Sequence, residues 1–413
     1  MDIKLTEQDL VEISSDALKQ FFEGIKSKQT RITYESNLKY FLVRACGELL
    51  NGDFSQRANE FVNLAKNDQQ NAIKIVRAYV LKLREKALKP KDDLVYLNPS
   101  SLPNKIKPIK KLLEMNDVGL PWARIYSMYP EIDNSLSTRG YTREEIQKML
   151  DHTQEISTKA IILTMSSGGF REGAWDDLIW KDLFPIYKTN EEKYKIELEK
   201  DEKATIVCGA MTIYRGTPEE YVALISIEAW NMLQELKKEF SRTMNKLPNN
   251  DDHIIIGIGT KKGINATSIR DRISMLCLRS GLRIPLIEGQ RRHEVPTVHG
   301  FRKYWNKIMM NVEKSTGLLS DLVIKERLMG HKVGIVKTDK NYFFTDVLDM
   351  VKPYLKAMPE LMISDETRLK MKLENEIKKT KELENEIKDN ERTRLQLEQL
   401  EAKVKRMEKY QKL

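Results

Sequence analysis

The sequence predicts a mainly α-helical protein with one small antiparallel β-sheet, a helical unit ahead of it and a charged helix behind it. Three observations carry this. Apolar residues recur at helical spacing in well-separated places, as in Tyr34, Leu38, Phe41 and Leu42, and again in Phe301, Trp305, Ile308 and Met309. Between Leu178 and Ser226 the pattern switches to short runs rich in β-branched residues. From residue 366 to the end there is no Gly or Pro, and Glu, Lys and Arg dominate. A length of 413 residues allows two or three domains, each large enough for its own core.

Residues 1–130 read as all-helical and basic, with Thr33 as the cap of the helix that carries Tyr34 to Leu42. Arg77, Lys82, Arg84, Lys86 and Lys89 form one basic cluster, and Lys105, Lys107, Lys110 and Lys111 form a second. Such runs are either solvated helix faces or contacts to a polyanion. Pro121 and Pro130 mark the irregular stretch from Asn116 to Thr138, and the linker is placed at 131–138. Thr142 and Glu145 have capping-box spacing at the start of the next helix. Ile161, Ile162, Leu163 and Met165 predict a buried helix that ends at the Gly168–Gly169 turn. Strands are expected at Tyr194 to Leu198, Ala204 to Tyr214 and Tyr221 to Ile225, the last two joined by a turn holding Gly216 and Pro218. Helices follow at Ile227 to Phe240 and Asn265 to Leu282, the second decorated by Arg270, Arg272, Arg279 and Arg283.

The stretch from His299 to Tyr342 organises the rest. His299 and Arg302 stand three apart, so both project from one side of a first helical turn. A second helix is expected from Ser320 to Met329, capped by Ser320 or Asp321 and closed by Gly330, which presents His331 at a turn. Tyr342 lies eleven residues further on. Two histidines, an arginine and a tyrosine converging in this way suggest a phosphate site with a nucleophile beside it. Beyond it, Thr345 caps a helix carrying Val347, Met350, Val351, Tyr354 and Leu355, and Pro353 is expected to kink it or end it early. In the tail, the text from Leu373 to Lys378 recurs from Leu383 to Lys388, and Leu397, Leu400, Val404 and Met407 form a short coiled-coil seam.

Composition narrows the partners. The net charge of +9 favours a polyanion such as nucleic acid without identifying one. No apolar run approaches the ~20 residues of a membrane span. The start carries no signal-peptide pattern, and Cys46, Cys208 and Cys277 are too scattered for a disulfide framework or a metal cluster. The expected location is the cytoplasm, in reducing conditions, with no membrane partner.

The spacing His-x-x-Arg, then Leu328-Met329-Gly330-His331, then a tyrosine about ten residues on, resembles the signature of the tyrosine recombinases, the integrase family that breaks and rejoins DNA. The family has a further arginine after a small-residue turn, and Arg171 behind Ser166-Ser167-Gly168-Gly169-Phe170 matches that place. The text His331-Lys332-Val333-Gly334 through Asn341-Tyr342-Phe343-Phe344 is most similar to archaeal and archaeal-virus integrases. The resemblance implies a helical DNA-clasping domain over 1–130, a catalytic domain over 139–362 and a charged helix or coiled coil over 363–413. Double-stranded DNA is the implied partner, held by a homo-oligomer, a tetramer on paired sites. Lys105, Lys107, Lys110, Lys111, Arg270 and Arg272 are the residues expected against it.

Under this resemblance Tyr342 is the nucleophile, and Arg171 and Arg302 grip the non-bridging phosphate oxygens. His299 orients or deprotonates the nucleophile, and His331 hydrogen-bonds the phosphate. A covalent phosphotyrosine conserves the bond energy, so neither ATP, another cofactor nor a metal is expected. Two departures stand out. Relatives carry a lysine in the last hairpin, whereas this turn reads Arg215-Gly216-Thr217-Pro218-Glu219-Glu220 and offers Arg215, or Lys203 from the preceding turn. Ala174 stands where many relatives have an acidic residue. The competing functions are a site-specific recombinase, a type IB topoisomerase-like relaxing enzyme, and a non-catalytic DNA-binding protein with a decayed site.

Overall fold

The computed structural model describes residues 16–90, 92–131, 139–257, 262–284, 293, 295–316, 319–331 and 347–411. It is mostly helical with one small antiparallel sheet and a long C-terminal helix. The chain divides into two compact units; among the described residues, one holds those up to 131 and the other those from 139 onward.

The first unit is a helical bundle of α1 (Ala17–Glu23), α2 (Lys28–Lys39), α3 (Phe54–Asn67), α4 (Gln69–Ala87), α5 (Leu102–Met115) and α6 (Trp122–Tyr126). Its core holds Phe21, Leu38, Phe41, Phe61, Val76 and Ile109, all fully buried, with Phe41 edge-on to Phe61 at 5.3 Å between ring centroids. Thr33 is not a cap. Ser27 caps α2 through the backbone N–H of Thr30, and Thr33 lies mid-helix, its hydroxyl donating to the Gln29 carbonyl at 3.0 Å. The stretch after Asn116 is more ordered than its prolines suggest. Asn116 is buried and donates to the carbonyls of Ala17 and Leu112, and Trp122 and Ile125 of α6 enter the core.

The second unit opens with α7 (Arg143–Asp151), where Thr142 and Glu145 form the expected capping box. α8 (Ile156–Gly168) follows, buried on every side from Ala160 to Gly168, so it has no solvent face and no amphipathic stripe. The sheet comprises β1 (Leu183–Thr189), β2 (Tyr194–Lys195), β3 (Ala204–Ile213) and β4 (Tyr221–Ile225) in the order β2-β1-β3-β4, all antiparallel. The strand expected from Tyr194 to Leu198 shrinks to two paired residues at the sheet edge. Helices α9 (Ile227–Met244), α10 (Ala266–Arg279), α11 (His299–Thr316), α12 (Leu319–Leu328), α13 (Val347–Leu361) and α14 (Asp365–Gln411) complete the unit. α12 begins at Leu319, so Ser320 and Asp321 lie inside its first turn rather than at its cap.

Pro353 does not end its helix. α13 runs through both Pro353 and Pro359 to Leu361. A proline inside a helix costs about 3 kcal/mol. Burial of Met350, Val351, Tyr354, Ala357, Met358 and Leu361 along one face outweighs it, at roughly 1.5–3 kcal/mol for each large apolar side chain. In α14 the balance is reversed: Leu369, Leu373, Leu383, Ile387, Leu397 and Leu400 are each more than half exposed.

Candidate active site

The site begins with Arg302, on the first turn of α11. Its neighbours Phe301, Tyr304 and Trp305 bury the helix face, and Arg302 goes in with them, leaving 4 % of its surface exposed. Its guanidinium donates to the Gly169 carbonyl at 2.6 Å and to the Met329 carbonyl at 2.8 Å, and approaches His331 Nε2 at 2.8 Å. Among the described residues it has no carboxylate partner. A buried cation held by carbonyl dipoles and a ring nitrogen, with no anion beside it, is costly. Burial, and then the positive charge of Arg171, push its pKa below the ordinary arginine value.

Two glycines make this geometry possible. Gly169 ends α8 in the left-handed conformation at φ 62°, and a Cβ there would lie 2.5 Å from the Trp305 ring. Only glycine lets its carbonyl turn toward Arg302 with the indole so close. Gly330 ends α12 at φ 66°, and a Cβ there would collide with the ring of Tyr221 on β4. The N–H of His331 bonds to the Glu326 carbonyl and that of Gly330 to Arg327, a Schellman closure that swings the His331 ring beside Arg302.

Arg171 sits two residues past Gly169, exposed at the surface. Its charge acts on Arg302, His299, Tyr214 and Tyr221, so these groups share one neighbourhood. His299 opens α11. Desolvation first, then the Arg302 and Lys303 cations, hold its pKa below the ordinary histidine value, which favours the neutral imidazole. Two tyrosines that lie outside the sequence motifs complete the surroundings. Tyr214 follows β3 at φ 55°, and Tyr221 begins β4, with their rings 6.4 Å apart. The Tyr221 hydroxyl is buried without a well-formed hydrogen bond, and desolvation, opposed by Arg302, pushes its pKa up to about 12. It is a donor facing an arginine pair.

Other expected residues lie elsewhere. Arg215 does not join the pair: its Nε bonds to the buried Asp182 carboxylate and its terminal nitrogen to the Lys181 carbonyl at 3.2 Å. Lys203 precedes β3 at the end opposite Tyr214, and a strand of that length spans roughly 30 Å at ~3.3 Å per residue. No lysine side chain bridges that distance. Arg270 is paired with Glu172, and Arg272 contacts Ser157 at 2.9 Å and Glu155 at 3.5 Å. In the first unit Lys105 donates to Asn37 at 2.8 Å, Lys110 pairs with Glu114 at 3.5 Å, Lys111 is half-buried and Lys107 is exposed. Ala174 is buried in the turn behind Arg171. Tyr342 lies outside the described residues. No group of three or more metal-ligating side chains occurs among the described residues.

Because Asp182 holds Arg215, replacing Arg215 by alanine is expected to leave any phosphodiester cleavage within about tenfold of wild type. The cost falls on stability instead, about 1–2 kcal/mol, since a buried carboxylate loses a half-exposed partner. Rates on matched DNA and a denaturant titration measure both. A loss of about 10²-fold or more would return Arg215 to the chemistry.

Neither a protein-family model nor a curated relative matches the chain. Solved structures similar to it include the XerA recombinase (12% identity, 77% of this chain and 97% of that one, TM-score 0.32). A XerH site-specific recombinase bound to palindromic difH substrate is also similar (13% identity, 78% and 93%, TM-score 0.41). So is a lambda integrase(75-356) dimer bound to a COC′ core site (13% identity, 76% and 92%, TM-score 0.39).

Proposed function

We propose that this chain is a site-specific DNA recombinase of the integrase kind, most similar in its local text to archaeal and archaeal-virus integrases, which cleaves and rejoins duplex DNA through a 3′-phosphotyrosine at Tyr342. The observation that supports it best is Arg302, a buried guanidinium beside a second arginine, with no carboxylate among the described residues to neutralise it. A phosphodiester supplies that anion. Planar guanidinium forks bond two phosphate oxygens at once, and two of them stabilise the charge that grows in a pentavalent transition state.

The remaining side chains fit this chemistry. A tyrosine hydroxyl ionises near ~10 and needs an acceptor for its proton at neutral pH. His299, kept neutral, is that acceptor. Tyr221 and Tyr214 stay protonated and donate toward the phosphate. The acceptor and donor roles require neither metal nor cofactor. The apolar residues exposed along α14 support self-association of the chain on DNA, where paired sites require a tetramer. Its place is then with the DNA of the cell.

The test is a set of nicked duplexes drawn from DNA flanking the reading frame, on which the released strand cannot religate. Purified protein is expected to accumulate a covalent 3′ adduct, and strand exchange between two such duplexes separates recombinase from relaxing enzyme. No adduct on any duplex would leave a DNA-binding protein with a decayed site.

Binding gives an independent expectation. Replacing Lys105, Lys107 and Lys111 together by glutamine is expected to weaken all duplexes alike. The slope of log affinity against log salt should shallow by roughly 2–3, at ~0.9 for each phosphate no longer neutralised. An unchanged slope would take α5 off the DNA.

A further inference from the structure

The leaving oxygen of such a cleavage needs a proton donor, yet Arg215 is tied to Asp182 and Lys203 lies at the far end of β3. The structure gives His331 a partner that the sequence motifs do not reveal. Glu326, on the last turns of α12, bridges two groups: its Oε1 lies 3.1 Å from Lys325 Nζ and its Oε2 lies 2.5 Å from His331 Nδ1. His331 Nε2 in turn lies 2.8 Å from the Arg302 guanidinium. Lys325 is buried, which fixes the carboxylate from behind, while His331 is 37 % exposed and open to a substrate.

The protons in this chain follow from the donors available. A guanidinium only donates, so Nε2 accepts from Arg302 and the imidazole proton sits on Nδ1, facing Glu326. The ring is then neutral. A phosphate oxygen arriving at Arg302 is an acceptor as well, and Nε2 can bond to it only by acquiring a proton. The Glu326 carboxylate across the ring stabilises the imidazolium that results, as the carboxylate of a catalytic triad does. Burial disfavours ionisation of Glu326, but hydrogen bonds from His331 and Lys325 outweigh it and hold its pKa below the ordinary glutamate value. The charged groups facing His331 are thus Glu326 and Lys325 from α12 and Arg302 from α11, with the Tyr221 hydroxyl of β4 beside Arg302.

We propose that His331, charged as phosphate binds and positioned by Glu326, is the general acid that protonates the leaving 5′ oxygen. This rests on the recombinase reading. In the step, the Tyr342 hydroxyl gives its proton to His299 and its oxygen bonds to phosphorus. The P–O5′ bond breaks, and O5′ takes the proton from His331 Nε2. Religation runs the same transfers backward, so no external reagent is consumed. Glu326 is a positioning residue: it touches His331, not the substrate.

The experiment compares ordinary nicked DNA with the same duplex carrying sulfur in place of the bridging 5′ oxygen, a leaving group that departs without a proton. On oxygen DNA, His331→Asn is expected to cleave about 10²–10⁴-fold more slowly, the scale for losing general acid catalysis. On sulfur DNA it should come within about tenfold of wild type. Glu326→Gln should lose at least about tenfold on oxygen DNA and recover in the same way, which loss of folding alone would not produce. Equal losses on both substrates for His331→Asn would overturn the acid and leave a phosphate ligand. Failure of the wild type on both substrates would instead overturn the recombinase reading itself.

Discussion

Replacing Tyr342 by phenylalanine is expected to abolish covalent adduct formation while changing the affinity for duplex DNA by less than about twofold. Phenylalanine keeps the ring and removes the attacking oxygen, so only the transition state suffers. Loss of a nucleophile from a concerted site costs on the order of 10⁵-fold or more, below detection in a gel assay. Two other tyrosines near α11 and α13 are excluded on structural grounds. The Tyr354 hydroxyl is fully buried and donates to the Ser167 carbonyl at 3.0 Å, and Tyr304 donates to the Glu360 carbonyl at 3.0 Å. Neither hydroxyl reaches a substrate without breaking the core. If the variant still formed adducts, the attacking oxygen would have to come from Tyr221 or Tyr214, and mapping the labelled peptide would identify it.

Arg302→Lys is expected to slow cleavage by about 10²–10³-fold, the cost of losing one transition-state donor. An ammonium keeps the charge, but it is a point donor where the Arg302 fork spans two carbonyls at once and, under the proposed function, grips a phosphate as well. The same change should be visible without any DNA. Sulfate at Arg302 is expected to stabilise the wild type by mass action and to raise its Tm with concentration. The lysine variant is expected to lose most of that increment, read by thermal melts across a sulfate series. An equal Tm gain in both proteins would show that Arg302 does not bind the anion, and the site would need another centre.

Much of the architecture is legible in the residues because it depends on local pattern. The capping box at Thr142, the apolar face of α11 and the uninterrupted tail helix all follow from spacing within a single turn or two. So does the juxtaposition of His299 and Arg302, which one turn of helix enforces. Where local pattern misleads, as at Thr33 and Pro353, competing caps and tertiary burial override it.

Partnerships between residues far apart in the chain are legible only in the folded molecule. Arg215 reads as a free hairpin cation until the fold brings Asp182, 33 residues away, against it. Arg270 carries no partner in its local sequence, and the fold brings Glu172, 98 residues away, against it. Tyr221 enters the site only because a glycine at 330 lets β4 press on the end of α12. The residue types and their spacing establish which side chains have the chemistry for phosphate. The fold establishes which remain available for it, because a charge near the surface pairs with whatever opposite charge the packing of helices and strands delivers, and sequence spacing does not encode that distance.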